Sequence, residues 1–475
     1  MLYDVGVVGS GPNGLAAALT AAREGLRVAV FEAAPTLGGG AQTRELIESG
    51  FRHDTCSSVH PMAWASPFFR DFGLGDRVTF ATPEASFAHA VSPRDVGVAF
   101  RSLDRTVEEL GRDGRRWNGL FRPFDWRTDG LSRVVMNARL AAWRTPVPAA
   151  LLMKQAAMAR AVVRGGGMSA ALMSGLSAHA IGGAHTLAAA LIGVTLGALA
   201  HAEGWPIPIG GSGAITGALI ASLRAHSVQF FTETRVTSLA EVPAKVVILT
   251  VPPTRFAALA GDALTPAAAR RYRGFRHGPA VAKVDLTLDE PIPWLDERLR
   301  EAGTIHVGGT AREVLAGERM IVRGEAARPS FLLVAQPTTF DPSRAPLGKH
   351  TAWAYAHVPS ESGLDPLELV LGRLQPFAPG VRDVVRGSKS LSGRELAAYN
   401  ASYVGGDINS GSTSLRQLVA RPRLSPVPWR TPLPGVYLGG ASSSPGPGVH
   451  GMGGWHAARI ALRDNFGIRV RALAW

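Results

Sequence analysis

Apolar residues follow three spacings along this chain, and each spacing predicts a different kind of element. The stretch "DVGVVGS" is a short continuous apolar run, the pattern of a strand buried on both faces of a parallel sheet. In "GPNGLAAALTAAREG", Ala and Leu recur at helical spacing, with Gly25 as the stop, and "RVAVFEA" reads as a second buried strand. Strand, glycine-rich turn, helix and strand follow one another closely, which makes a βαβ unit. Residues 205–260 repeat this pattern. There "WPIPIGGSGAITGALIASLRAHS" is a glycine-rich turn into a helix, and "VQFFTETRVTSL" and "KVVILTVPP" are strands. Near the C-terminus, "GVYLGGA" is a strand and "GWHAARIALRDNF" a helix.

Between these pieces the pattern changes. Residues 71–204 read as helical and rich in Ala and Met, whereas residues 266–420 contain alternating runs such as "AVAKVDLTL", "FLLVAQPT" and "HTAWAYAHV". The expected fold class is therefore α/β (α+β overall). A discontinuous Rossmann-like nucleotide domain takes residues 1–70, 205–265 and 421–475. A substrate domain of mixed sheet and helices is inserted as residues 71–204 and 266–420. The run "TLAAALIGVTLGALA", residues 186–200, is shorter than the roughly 20 residues a membrane span needs, so it predicts a buried helix or pocket wall.

Composition narrows the class. With 46% hydrophobic and 18% charged residues, the chain has the balance of an ordered globular protein. Its one cysteine, Cys56, excludes an internal disulfide framework and suits a reducing cytoplasm, and no basic, cleavable leader is read before "MLYDVGVVGS". The net charge of +13 is unevenly placed: residues 101–164 hold 13 Lys and Arg against 6 Asp and Glu, and residues 130–202 hold no acid. No nucleic-acid-binding pattern accompanies that charge, so the expectation is a solvated basic face or contact with an anionic membrane surface, with no nucleic-acid partner.

The chemistry begins at Gly9-x-Gly11-x-x-Gly14, placed directly after a strand and opening a helix. Gly9 permits the tight turn, Gly11 lets a pyrophosphate approach the backbone, and Gly14 allows close packing of helix on strand. Pro12 and Asn13 complete the turn. The helix N-terminus offers N–H groups to phosphate, and Glu32, at the end of the second strand, stands where an acid binds ribose hydroxyls. In "PIGGSGAITG", Pro206 and Pro208 occupy the place of a strand, so no second nucleotide fold is read there.

After Glu32 come Gly38, Gly39 and Gly40, then Thr43. Here the sequence resembles the flavin amine oxidase superfamily, and "SGFRHDTCSSVHPMA" together with "GVYLGGASSSPGPGVHGMGGWHAA" resembles its phytoene-desaturase-like branch. The resemblance covers both ends and the middle, roughly a third of the chain. It implies FAD as cofactor and an amine-oxidase-like architecture. It puts Gly39, Gly40 and Thr43 at the flavin, Val236 beside the adenine, and Gly440, Gly451 and Met452 along the pyrophosphate and isoalloxazine. The arginine that often follows the glycine pair in that family is Gly40 here. Lys283 resembles the lysine held near flavin N5 through a water; on spacing alone it is equally a solvated strand lysine. His450 is a candidate for proton transfer or for shaping the loop beneath the flavin. His53, Cys56 and His60 are spaced as zinc ligands could be, but no second Cys/His pair accompanies them and no metal is expected.

The expected function is dehydrogenation of an apolar, isoprenoid- or carotenoid-like substrate by hydride transfer to flavin N5, with O₂ or a quinone as electron acceptor and catalytic candidates His450 and Lys283. The same motifs are compatible with amine oxidation, with redox-neutral isomerisation, and with flavin binding without turnover. The expected location is cytoplasmic, with membrane association through the basic segment.

Overall fold

The computed structural model describes residues 2–124, 128–137, 145–325 and 331–474. Part of the basic segment, including Arg127, Arg139 and Arg144, lies outside the described residues. The first sheet is five-stranded and parallel, in the order Val436–Leu438, Ala244–Leu249, Tyr3–Val8, Val28–Phe31, Gln229–Phe231. Its strands come from the two ends and the middle of the chain. Both faces are covered, as a parallel sheet requires. Val5, Val7, Val30 and Ile248 meet helices Pro12–Ala22, Gly213–Ala225 and Met452–Phe466. Ala29, Phe31, Val247 and Leu249 meet helices Pro253–Ala260 and Pro266–Arg273 on the other side.

The second sheet has seven strands, ordered Val385–Leu391, Ala280–Leu288, His350–Val358, Leu332–Ala335, Ala302–Val307, Ala85–Ser92, Asp95–Phe100. All neighbours are antiparallel except Ala302–Val307 with Ala85–Ser92. Period-two alternation gives its faces different chemistry. Val284, Leu286, Ala354, Ala356, Val334 and Ile305 form an apolar face against helix Pro366–Leu374. The opposite face carries Lys283, Asp285, Trp353, Tyr355, His306 and His89. Helices Gly114–Phe121, Pro146–Gly165, Met168–Ala178 and Leu187–Ala202 pack over part of that second face.

Two expectations change. Residues 71–204 are not wholly helical, because the hairpin Ala85–Ser92/Asp95–Phe100 supplies two strands of the second sheet. Its turn, Ser92-Pro93-Arg94-Asp95, separates two runs whose small residues blur the alternation. The strand foreseen in "VQFFTETRVTSL" ends at Phe231, because Glu233 takes a left-handed φ of 53° and turns the chain so that Thr234 N–H reaches the Glu32 carbonyl at 2.8 Å. In "PIGGSGAITG", Ile207–Pro208 pairs antiparallel with Phe80–Ala81, away from the parallel sheet. Helix Leu187–Ala202 holds the run at 186–200, and among the described residues no helix is long and apolar enough to cross a membrane.

Candidate active site

A cavity of about 930 Å³ opens at the carboxyl ends of the parallel strands and extends over the polar face of the second sheet. Its first part is made by bare backbone. Gly9 turns with φ 98°, and a Cβ there would strike the Thr250 hydroxyl. A Cβ on Gly14 would enter the Gly9 peptide, 3.0 Å from its carbonyl carbon. Gly11 caps helix Pro12–Ala22 without a side-chain hydrogen bond, and Pro12 and Asn13 fill its first turn. The first-turn N–H groups of Asn13 and Gly14 have no helical acceptor and carry the positive end of the helix dipole.

Gly39 lies across this turn, where its Cβ would stand 2.8 Å from Gly11 Cα, so the two loops meet backbone to backbone. Glu32 is fixed at the end of its strand: one oxygen accepts from Ser10 N–H (2.9 Å) and Ser10 Oγ (2.6 Å), the other from Ala34 N–H (2.9 Å). Val236, Gly40 and Gly440 also line the cavity, and Gly440 packs on the Thr250 backbone, 2.5 Å from where its Cβ would be.

Three expected residues stand behind this wall. Thr43 Oγ1 donates to Asp54 (2.7 Å) and accepts from Gly213 N–H (2.9 Å), tying the strand Thr43–Glu45 to helix Gly213–Ala225. Gly451 caps helix Met452–Phe466 at φ 68°, its Cβ position 2.6 Å from the Phe68 ring, and Met452 is fully buried.

His450 lines the cavity but turns both ring nitrogens to the backbone. Met452 N–H donates to Nδ1 at 3.1 Å, so the proton sits on Nε2, which donates to the Gly446 carbonyl at 3.1 Å. Its own carbonyl accepts from Ser66 Oγ at 2.5 Å. These bonds give His450 a loop-shaping place and count against the proton-transfer role considered for it.

Lys283 is 4% exposed, which removes the solvated-lysine alternative. Its ammonium pairs with Asp285, and it reaches the cavity beside Trp353 and Tyr355, whose rings stack at 5.6 Å. Burial, the largest influence on Asp285, pushes its carboxyl up, and Lys283 pulls it back. His53 Nδ1 lies 3.9 Å from Asp285, and burial lowers that imidazole to about 4. Deeper still, Asp54 and Arg344 form a fully buried pair at 2.9 Å. Burial opposes the Asp54 charge, but Arg344 and hydrogen bonds from Ser58, Thr43 and Ser212 outweigh it and hold the carboxyl low.

His60 bonds Ser212 Oγ at 2.7 Å, whereas Cys56 meets the Tyr403 hydroxyl. His53, Cys56 and His60 thus point to different partners, and no cluster suited to a metal occurs among the described residues.

Sequence reasoning missed Trp353, Tyr355, Tyr403 and His179, which all line the cavity. The alternation of "HTAWAYAHV" was the available signal for the first two. Arginines are present despite Gly40: Arg44, Arg235 and Arg255 reach the cavity wall.

Residues 7–72 match a NAD(P)-binding Rossmann-like domain. Over 97% of its length the chain is 24% identical to pyridine nucleotide-disulfide oxidoreductase domain-containing protein 2 of Rattus norvegicus, covering 94% of that protein. A limonene dehydrogenase subunit of Castellaniella defragrans is 28% identical over 26% of this chain and 24% of its own. The solved structure of putrescine oxidase bound to putrescine superposes with a TM-score of 0.59 at 18% identity, over 97% of this chain and 98% of that one. The chain therefore has an amine-oxidase-like fold around a Rossmann-like domain.

Proposed function

We propose that this chain is an FAD-dependent dehydrogenase of an apolar, isoprenoid-like substrate, with phytoene-desaturase-like rather than amine-oxidase chemistry. The observation that carries the reading is one cavity with two linings: glycine backbone and Glu32 at one end, and mainly apolar side chains such as Leu152, Leu191 and Leu333 at the other. We divide the chain accordingly into a nucleotide unit (1–70, 205–265, 421–475) and a substrate unit (71–204, 266–420).

The residues present fit FAD. The N–H groups of Asn13 and Gly14 suit its pyrophosphate, the Glu32 carboxylate suits ribose hydroxyls, and Val236 offers an apolar seat for the adenine. Gly39, Gly40 and Gly440 leave room for close approach of the remainder, and Thr43, Gly451 and Met452 hold that wall from behind. Bound FAD would supply a two-electron hydride acceptor. The chain's own contribution is to orient an apolar substrate, exclude water, and hold Lys283 against Asp285 at the cavity wall. The likeness to the limonene dehydrogenase subunit, whose name gives a terpene as its substrate, supports the substrate class. We assign O₂ or a quinone as electron acceptor, since one strand–GxGxxG–helix unit serves one dinucleotide.

Amine oxidation is the second reading, favoured by the stacked rings of Trp353 and Tyr355 and by the fold shared with putrescine oxidase. Anaerobic titration of the purified chain separates the two. The expected result is bound FAD whose absorbance bleaches with isoprenoid substrates and not with simple amines, with a product two hydrogens lighter. Bleaching by amines alone reverses the ranking, an unchanged product mass makes the chain an isomerase, and failure to bind added FAD removes the proposal.

A further inference from the structure

The cavity wall carries a polar group that an apolar substrate does not explain. His179 stands at the C-terminus of helix Met168–Ala178, among Ile181, Leu196, Leu333 and Trp205 on the cavity wall. Its position is fixed through the backbone. Asn409 Nδ2 donates to the carbonyls of His179 (3.2 Å) and Ala180 (3.3 Å), and Thr413 Oγ1 donates to Ala180 at 2.7 Å. The ring meets Trp205 edge-on, centroids 5.7 Å apart.

The His179 ring is also held from behind by a second imidazole. His179 Nε2 lies 3.0 Å from His306 Nε2, so one of these nitrogens donates and the other accepts. His306 is fully buried between Phe87 and Phe331, and its Nδ1 has no hydrogen-bond partner among the described residues. Neighbouring His89 has its tautomer fixed by an acceptor of its own. His89 Nε2 faces the Gly309 carbonyl at 2.8 Å and must carry the proton, leaving a bare Nδ1 with no partner among the described residues. Both unpartnered nitrogens face Gly175, 2.5 Å and 2.7 Å from where a Cβ would stand.

A buried N–H without an acceptor is costlier and rarer than a lone pair without a donor. His306 therefore keeps its proton on Nε2 and donates it to His179 Nε2. That assignment leaves His179 with its own proton on Nδ1, the nitrogen that meets no protein partner among the described residues. Protonation of both nitrogens is disfavoured. Burial lowers His179 to about 3 and His306 well below the ordinary imidazole range, with the neighbouring imidazoles adding to the effect.

We infer that His179, set by His306, is a substrate-recognising hydrogen-bond donor, and that the substrate is an apolar molecule bearing an acceptor oxygen, carbonyl, ether or hydroxyl, at the end that meets His179. The inference rests on the reading of this cavity as an apolar substrate site. A neutral N–H in an apolar wall discriminates strongly, because a ligand lacking the oxygen leaves that donor desolvated and unpaired.

The test uses the purified full chain, its FAD content measured in parallel, and three matched C15 probes: farnesal, farnesol and farnesene. Binding is followed by quenching of tryptophan fluorescence, with Trp205 and Trp353 on the cavity wall as reporters. Wild type should bind farnesal at least about fivefold more tightly than farnesene, the size of one neutral hydrogen bond. His179→Phe should bring the two affinities within about twofold while farnesene binding holds. His179→Asn, which keeps an N–H donor, should retain part of the preference, and His306→Leu should weaken it. Equal affinities in wild type, or a full preference in His179→Phe, overturn the inference; the wild-type comparison stands even if a variant fails to fold. Bound FAD with no oxygen preference sinks this inference alone. Preference without FAD binding sinks the flavin reading alone, and no binding of any probe sinks the substrate site and the inference together.

Discussion

Burial lowers His53, His60 and His89 to about 4, and His179 and His456 to about 3. In the unfolded chain the same imidazoles take a proton near pH 6.5. Between those values the unfolded state binds more protons than the folded one, so stability is full above about pH 6.5 and falls as the solution is acidified toward 4. Each such histidine contributes a slope of up to about 1.4 kcal/mol per pH unit. Asp285, raised by burial, acts in the opposite sense, since the folded state keeps its proton longer. That one carboxyl does not reverse the trend, because His306 is lowered as well. Urea unfolding at pH 7, 6 and 5 should therefore show a midpoint that drops steeply with acidity, and His89→Gln should flatten the curve by about one histidine's share. A midpoint independent of pH across that range would show that these rings are hydrated.

Helix Leu187–Ala202 shows how an element serves both core and site. Gly193 and Gly197 let it lie close against neighbouring helices: a Cβ on Gly193 would sit 2.9 Å from Ser177 Oγ, and one on Gly197 would strike the Phe121 ring. Leu191, Ile192 and Leu196 turn the remaining edge to the cavity. Ile192→Trp places bulk in open space rather than in packed core, so farnesene affinity should fall at least tenfold while unfolding changes by less than about 1 kcal/mol. Unchanged farnesene binding in a folded variant would move the substrate site away from this helix. Elements differ in how far the sequence exposes them. Ala280–Leu288 and His350–Val358 were legible to the residue because every second side chain is apolar and faces one core. The hairpin beginning at Ala85 was not, since its alanines suit a helix as well as a strand, and pairing within the hairpin and with Ala302–Val307 selects the strand. The glycine turn at Gly9 was legible because its chemistry is local. The His179–His306 pair was hidden, because 127 residues separate partners that only the fold brings together.

At the scale of the whole molecule, the cavity is assembled from residues near both ends of the chain and from its middle, and apolar side chains of its wall reach the surface. Met153 and Leu415 line the cavity and are also 44% and 46% exposed, and Val147, on the same helix Pro146–Gly165 as Met153, is 64% exposed. Residues 130–202 carry no acid, and Lys154 stands exposed beside Met153. An apolar rim on a helix that itself carries basic and no acidic side chains complements an anionic lipid surface, from which an apolar substrate can enter without crossing water. Each basic group near such a surface contributes about 1 kcal/mol at low salt. The full chain should therefore co-float with phosphatidylcholine vesicles containing phosphatidylserine at low ionic strength, and be released as salt screens the attraction. Val147→Glu with Met153→Glu replaces two exposed apolar side chains by acids, so it should abolish flotation while leaving FAD content unchanged. Absence of flotation by the unaltered chain at low salt would assign the basic face to solvation alone, and the substrate would then reach the cavity from solution or from a carrier.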